Sequence, residues 1–144
     1  MQKSNIFPRH TSYDLPISSY GDGGYIIDSN GKKYLDGSCG AAVSCLGHSD
    51  QSVKEAIIKQ TEKLAFAHTS FFTSEPAEEL AQVLSKNSPI GLDKVYFVSS
   101  GSEAVEASLK LAKQYFNEIG KPKKHKVISR KQSYHGNTLG ALAV

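Results

Sequence analysis

The sequence has few of the features that mark secreted or membrane proteins. Its 144 residues contain two cysteines, one methionine and no tryptophan. Cys39 and Cys45 are too few for a disulfide framework, and this usage is typical of a reducing compartment. No apolar run approaches the ~18 residues that a membrane-spanning helix needs. The N-terminal segment MQKSNIFPRH also lacks the apolar centre of a secretory signal. We therefore expect a cytoplasmic protein that does not insert into membranes.

An excess of charge of one sign is also missing. The 17 Lys and Arg residues against 14 Asp and Glu residues give a formal net charge of +3, which is too small to indicate nucleic-acid binding. The basic run at 121–126 is interpreted as a solvated loop. The five histidines show neither H-x-x-x-H spacing nor pairing with cysteine, so no metal site is predicted.

The first part of the chain predicts an irregular arm and then a β-hairpin. Residues 1–20 are polar and contain two prolines, which favours the arm. Two short β-prone runs, 25–27 and 33–35, flank the Asn30-Gly31 pair, a strong hairpin turn signal. Residues 37–47 are rich in small side chains and are predicted to form a close-packed loop.

The remaining pattern is helical at first and then alternates between strand and helix. The predicted elements are a helix from Ser49 or Asp50 to about Ala67, a helix from about Ser74, a strand at 95–98, a helix at 102–116, a strand at 127–128 and a helix from about Gly136 or Asn137. The β-α-β-α order from residue 95 onwards is typical of a parallel sheet with helical crossovers. The predicted fold class is therefore α/β, with helices on both faces of a parallel-type sheet.

The most informative segment is the junction between the predicted strand at 95–98 and the following helix. Ser100, Gly101 and Ser102 occupy the point where the backbone N–H groups and the positive end of the helix dipole converge. A phosphate can bind there, because glycine allows close approach and the serines offer hydroxyl donors. Ser100 and Glu103 also match a capping box, so a capped helix without a ligand stays open as the alternative.

A second segment, Tyr134-His135-Gly136, follows the next predicted strand and should lie at the same carboxyl edge of the sheet. The Tyr134 ring can stack on a planar ligand, and Gly136 leaves space for it. The alternative is a tyrosine packed on a helix start beside a solvated histidine. The chain contains neither a P-loop nor a dinucleotide-binding fingerprint.

A phosphate site beside a stacking aromatic indicates a phosphorylated planar cofactor. Over nearly its whole length, the chain resembles the class III pyridoxal-phosphate-dependent aminotransferases. The segments that carry the resemblance are 34–37, 42–48, 68–72, 100–107, 110–112 and 134–136. In this order and spacing, the motifs are specific to that family.

The resemblance implies roles for individual residues. The cofactor-binding residues would be Ser100, Gly101, Ser102, Tyr134, His135 and Gly136. The residues near the substrate entrance would be Cys39, Gly40 and Ala41. Within the first set, Gly101 and Ser102 would hold the cofactor phosphate and Tyr134 would stack on the pyridine ring.

The resemblance also implies an architecture. Residues 1–50 would form an arm and hairpin that belong to a small domain, and residues 51–144 would form the first, incomplete part of the large cofactor-binding domain. The enzyme would be a homodimer, with its site at the dimer interface and Phe71 and Phe72 near it.

The implied reaction is transfer of an amino group between an amine or amino acid and a keto acid through pyridoxal 5'-phosphate. No catalytic residue is assigned within the chain, because the cofactor-bearing lysine and the aspartate at the pyridine nitrogen are expected beyond Val144. We therefore expect the 144 residues alone to be inactive. The alternatives are a decarboxylase or aminomutase of the same family, a non-catalytic phosphate- or cofactor-binding fragment, and an unrelated α/β nucleotide-binding domain.

Overall fold

The computed structural model describes residues 4–144, so the first three residues of the predicted arm lie outside the described part. The chain divides into two units, Met1–Phe72 and Thr73–Val144. The first unit contains β1 (Ser18–Asp22), β2 (Tyr25–Asp28), β3 (Lys33–Leu35), α1 (Cys39–Ala42) and α2 (Gln51–Lys63). The second unit contains α3 (Glu75–Lys86), α4 (Gly101–Glu118) and α5 (Leu139–Leu142).

The first unit is built on an antiparallel sheet with the order β1-β2-β3. The predicted hairpin is confirmed as β2 and β3, in which Ile26 is paired with Tyr34. Gly31 has a φ of +81°, the left-handed conformation that the turn requires. β1 begins inside the predicted irregular arm, at Ser18, and this part of the prediction is wrong, because pairing with β2 orders a segment that has no strand pattern of its own. Ile27 on the central strand is 1% exposed and forms the core of this unit.

The carboxylate of Asp28 closes the β2–β3 turn. It accepts hydrogen bonds from the backbone N–H groups of Asn30 and Lys32, both at 2.9 Å, and from the Tyr34 hydroxyl at 3.0 Å. Burial acts to raise the pKa of Asp28, but the hydrogen bonds from Lys32, Asn30 and Tyr34 together outweigh it and lower the pKa below its usual value. The turn is therefore stabilised by an ionised side chain.

The longer helices begin where the sequence predicts. Asp50 caps α2 by accepting a hydrogen bond from the Val53 N–H at 2.9 Å. The helix ends at Lys63 and not near Ala67, because Leu64 already has an extended backbone with a φ of −164°. α3 follows Ser74, and its first turn accommodates Pro76, as expected for a position where the N–H would have no helical partner. In the second unit, α5 packs on α4 and buries Ala141, which is 1% exposed.

The predicted strands at 95–98 and 127–128 are wrong, and the described residues form no parallel sheet. Both segments run without regular secondary structure, and no backbone hydrogen bond within residues 4–144 joins either of them to a partner strand. Their apolar side chains lie open, with Tyr96 80% and Ile128 98% exposed. A strand depends on the N–H and C=O groups of a neighbour, and helix α4 between the two segments does not bring them together as a pair.

Much of the apolar surface of the chain is uncovered. The accessible surface is 13,328 Å², whereas two compact units of this mass would expose roughly 8,700 Å² together. No helix in the described part of the chain is long and apolar enough to cross a membrane. The chain therefore leaves more surface open than two compact units would, and large apolar side chains contribute to it.

Candidate cofactor-phosphate site

The N-terminus of α4 is capped by its own sequence. The Ser100 hydroxyl accepts a hydrogen bond from the Glu103 N–H at 3.2 Å, which is half of the predicted capping box. The Glu103 carboxylate accepts from the Ser99 N–H at 2.8 Å, one residue earlier than the usual partner. The backbone N–H groups of Gly101 and Ser102 donate to no group within residues 4–144. Two amide donors at the positive end of an 18-residue helix are therefore free.

The segment around Gly136 closes directly onto this helix start. The Ser102 hydroxyl donates to the Asn137 side-chain Oδ1 at 2.9 Å and accepts from the Asn137 N–H at 3.0 Å. A Cβ atom on Gly136 would lie 3.0 Å from the Cα of Ser102 and 2.7 Å from the Cβ of Ala141. Gly136 is buried and has a φ of +132°. The two segments singled out in the sequence thus meet through Gly136 and Asn137.

The side chains of Tyr134 and His135 lie next to that contact in the sequence. Tyr134 is 81% exposed, so its ring faces are open. The Nε2 atom of His135 lies 3.4 Å from the carbonyl oxygen of Arg130. Placement of Tyr134 on a cofactor ring stays a prediction.

One turn further along α4, Glu106 fixes the other end of the same segment. Its Oε1 atom accepts a hydrogen bond from the Gly140 N–H at 2.9 Å, and a Cβ atom on Gly140 would collide with the carboxylate. Neither Asn137 nor Glu106 is predicted from the sequence to have a role at this site. The signal for Glu106 was available, because residues at i and i+4 share one face of a helix and Ser102 lies four positions earlier.

In the first unit, the segment predicted to lie near the substrate entrance forms a single left-handed turn. Cys39, Gly40, Ala41 and Ala42 have φ values of 52°, 53°, 61° and 67°. Only one of the four is glycine, so this turn is strained and needs support from its surroundings. The predicted close packing of residues 37–47 is wrong, since Val43 is 86% exposed and nothing in the described part of this unit covers the tip of the loop.

The carboxylate of Asp36 provides that support at the base of the turn. Its Oδ1 atom accepts from the Ser38 hydroxyl and N–H, each at 3.2 Å, and from the Cys39 N–H at 3.0 Å. Its Oδ2 atom accepts from the Ser44 hydroxyl at 3.0 Å and lies 2.8 Å from the Nε2 atom of His48.

These contacts set the charge state of Asp36. The hydrogen bond from Ser44, opposed by partial burial and reinforced by His48 and by the Ser38 and Cys39 amides, lowers the pKa of Asp36 to about 2. The side chains of Asp36 and His48 are 12% and 22% exposed. His48 is assigned no role from the sequence, and residues 4–144 hold no group of three or more His, Cys, Asp or Glu residues that could bind a metal ion.

Two open grooves adjoin these elements, but neither is lined by the candidate cofactor residues. A groove of about 360 Å³ runs beside the left-handed turn and includes Val43, His48 and Lys54. Another of about 340 Å³ lies along α4 and includes Tyr96, Glu103 and Lys110. The candidate phosphate site is an open surface, with Ser100 and Gly101 exposed. The features that mark this site are the free N–H groups of Gly101 and Ser102 and the packing of Gly136 against Ser102.

Comparison with known proteins identifies the family to which the chain belongs. The family model for class-III aminotransferases matches residues 9–144. An uncharacterized aminotransferase of Bacillus subtilis, YodT, is 46% identical over 141 residues, which cover 98% of this chain and 32% of that relative. The chain belongs to the class-III aminotransferase family. It spans about a third of the length of the curated relatives that it matches.

Solved structures agree with the family assignment. A transaminase from the marine bacterium Virgibacillus superposes with a TM-score of 0.86 at 36% identity, over 96% of this chain and 33% of its own. An omega transaminase from Pseudomonas jessenii, solved in complex with PMP, superposes with a TM-score of 0.83 at 34% identity, over 92% of this chain and 31% of its own. The local fold is therefore that of the corresponding part of α/β transaminases, and the predicted family is confirmed.

Proposed function

We propose that this chain is part of a pyridoxal-phosphate-dependent aminotransferase that moves an amino group between an amine or amino acid and a keto acid. Its own contribution would be the phosphate side of the cofactor site. The observation that carries the proposal is the start of α4, where the free N–H groups of Gly101 and Ser102 converge and Gly136 packs against them. A helix N-terminus of this kind favours a dianionic phosphate over water.

The residues present fit a phosphate. The Glu103 carboxylate, which would repel an anion, is held by the Ser99 N–H. The Ser102 hydroxyl is bonded to Asn137, a neutral acceptor, and can turn to a phosphate oxygen. Hydrogen bonds to charged groups are about twice as strong as neutral ones, so this exchange favours the phosphate.

The neighbouring segment fits a planar ring. The open faces of Tyr134 allow offset stacking on a pyridine, which is the preferred geometry for aromatic pairs. Gly136 would let a flat ligand approach the helix start. Ser100, by capping the helix, and His135, beside the tyrosine, would complete the set of cofactor-binding residues. Bound pyridoxal phosphate would supply the electron sink for amino-group transfer.

The residues of this chain would bind the cofactor and orient the substrate. The lysine that moves the substrate proton is proposed to lie in the part of the enzyme beyond these 144 residues, so the chain alone would be inactive. Cys39, Gly40 and Ala41 would face the substrate, and the exposure of Gly40 and Ala41 suits that role.

The larger assembly is also proposed. Residues 1–50 would belong to a small domain and residues 51–144 to an incomplete large domain. The uncovered apolar surface, including Phe71 at 79% and Phe72 at 67% exposure, supports a homodimer in which further protein covers these faces. We also propose a cytoplasmic enzyme, because both cysteines, Cys39 and Cys45, are unpaired.

The test uses the complete enzyme, which is this chain continued by its own reading frame or, if the frame ends at Val144, by the remaining part of the Bacillus subtilis relative. The measurements are the Kd for pyridoxal phosphate and amino-group transfer from a panel of L-alanine, 4-aminobutyrate and L-ornithine to pyruvate or 2-oxoglutarate. The Ser102→Ala variant should bind the cofactor about tenfold more weakly, because one charge-assisted hydrogen bond is lost.

The matched control is Ser108→Ala on the same helix, whose hydroxyl bonds only to the Val105 carbonyl at 2.7 Å. Its Kd should stay within about twofold of the wild-type value. Equal effects of the two substitutions would contradict the phosphate site. A complete enzyme that binds the cofactor and releases CO₂ or an isomerised amine without amino transfer would favour the decarboxylase or aminomutase.

A further inference from the structure

The left-handed turn Cys39–Ala42 is held from both sides by one carboxylate. Asp36 binds the residues that enter the turn, Ser38 and Cys39, through one oxygen. It binds Ser44, which leaves the turn, through the other oxygen. Four consecutive positive φ values, three of them on residues with a Cβ, are sustained only where the surroundings fix the backbone.

His48 connects this carboxylate to the sheet. Its Nε2 atom lies 2.8 Å from Asp36 Oδ2, while its backbone N–H donates to the Gly23 carbonyl at 2.8 Å. Gly21 on β1 lies directly against the histidine, since a Cβ atom there would collide with the His48 Cβ. The Ser49 hydroxyl accepts from the Gly23 N–H at 2.8 Å. The imidazole is therefore held between the β1–β2 turn and the carboxylate.

The base of the loop, formed by Asp36, Ser44 and His48, and its tip, formed by Gly40 and Ala41, differ in exposure in a way that suits binding of a ligand at the tip. Asp36, Ser44 and His48 are half-buried, whereas Gly40 and Ala41 are exposed. A tip that is open to a ligand but rigid at its base loses little conformational freedom on binding. Apart from Ser38, Cys39, Ser44 and His48, no residue in the described part of the chain forms a hydrogen bond with the Asp36 carboxylate.

We propose that Asp36 and His48 are positioning residues that fix the Cys39–Ala42 turn and thereby set how tightly the enzyme binds its amino donor. This proposal rests on the proposed function, because it takes Cys39, Gly40 and Ala41 to face the substrate. Neither residue touches the substrate or moves its proton. Loss of the pair therefore changes KM for the donor more than kcat.

The main variant is His48→Ala in the complete enzyme, assayed with the donor from the panel that the wild-type enzyme turns over fastest. Its KM for the donor should rise about tenfold, with kcat within about twofold, because a preformed turn must now be ordered by the substrate. The Kd for pyridoxal phosphate should not change. Hydrogen exchange of residues 38–46 should speed up, since Asp36, the acceptor of the Cys39 N–H, is held less firmly without His48.

Two further variants separate positioning from general stability. His48→Gln retains a donor that reaches the carboxylate and should restore KM to within about threefold of wild type. His125→Ala removes an exposed histidine from the loop at 121–126 and should leave KM and hydrogen exchange unchanged. If His48→Ala does not fold, Ser44→Ala removes one bond to Asp36 and should raise KM in the same direction by a smaller factor.

Each failure is distinguishable. If the wild-type complete enzyme transfers no amino group from any donor, the proposed function fails and this inference fails with it. If wild type is active but His48→Ala or Ser44→Ala keeps the wild-type KM, only the positioning role is overturned. The positioning role would also be overturned if His48→Ala raised KM, lowered kcat and lowered the thermal stability together, and if His48→Gln restored none of the three.

Discussion

Ser102 and Asn137 exchange two hydrogen bonds across 35 residues of sequence, and each uses the Ser102 hydroxyl. The Ser102 side chain therefore lies both at the free end of α4 and at the end of the segment that carries Tyr134 and Gly136. The pair defines where two distant parts of the chain meet. The Ser102 hydroxyl can therefore have two roles: it can anchor Asn137, or it can bind a phosphate oxygen.

The first prediction compares Ser102→Ala with Asn137→Ala in the complete enzyme. If Ser102 donates to a phosphate oxygen, its loss weakens pyridoxal phosphate binding. Removal of the Asn137 side chain frees the hydroxyl hydrogen of Ser102 and leaves the Kd unchanged or lower, while the backbone N–H of residue 137 still donates to the hydroxyl. Equilibrium titration with the cofactor measures both values. If both substitutions weaken binding by the same factor, Ser102 acts only by anchoring Asn137 and the phosphate contact is wrong.

The second prediction concerns the space at Gly136. Gly136→Ala should destabilise the complete enzyme by about 3 kcal/mol, because its φ of +132° disfavours a side chain and the new Cβ would crowd Ser102 and Ala141. Urea unfolding measures the change. The control is Gly91→Ala, where φ is +90° but no atom lies within 4 Å of the added Cβ. That variant should lose only about 1 kcal/mol, and an equal loss at both positions would rule out close packing at Gly136.

The third prediction uses the low pKa of Asp36. In the folded protein this pKa is about 2, against an ordinary value of 3.8. A depressed pKa means that the carboxylate stabilises the fold above about pH 4 and that this contribution is lost as the pH falls from 3.8 towards 2. The urea midpoint of wild type should therefore decrease through this window.

Asp36→Asn should flatten that decrease without abolishing it, because Asp28 and Asp50 also have lowered pKa values in the fold. The matched control is Asp14→Asn, which removes an exposed carboxylate and should retain the wild-type slope. An unchanged slope in Asp36→Asn would show that the hydrogen bonds from Ser44 and His48 do not persist in solution.

The sequence predicted those elements that depend on neighbours along the chain. The capping residues Asp50 and Ser100 lie within three residues of the amides they bind, so the starts of their helices can be predicted from the local sequence. The strands at 95–98 and 127–128 depend on partner backbones that sequence alone does not identify, and those predictions are wrong. An apolar run indicates that a segment favours burial, but it does not indicate which strand will pair with its backbone.

The same distinction explains the two candidate sites. Ser102 and Gly136 were found because small and hydroxylated residues at a helix start are a local signal. The left-handed conformation of Cys39, Ala41 and Ala42 was not predicted, since only Gly40 in that turn favours positive φ. It depends on Asp36, whose bond to His48 spans 12 residues.

The last prediction is that the 144-residue chain by itself does not transaminate. Amino-group transfer through pyridoxal phosphate requires a lysine that holds the cofactor and moves a proton. The α4 lysines Lys110 and Lys113 are exposed and lie about two to three helical turns beyond Ser102. The chain should also self-associate, because large apolar side chains such as Phe71 and Ile90 lie open to solvent.

The measurement is to purify residues 1–144, add pyridoxal phosphate, and follow amino transfer, the visible absorbance of covalently held cofactor, and mass by light scattering. We expect no turnover, no covalent absorbance and a mass above that of a 15.6 kDa monomer. Supplying the remaining part of a class-III aminotransferase should restore turnover and the covalent absorbance. Turnover by the isolated chain that disappears on changing Lys110 or Lys113 would show that the proton-transferring lysine lies within these residues, and the division of labour proposed for the enzyme would be wrong.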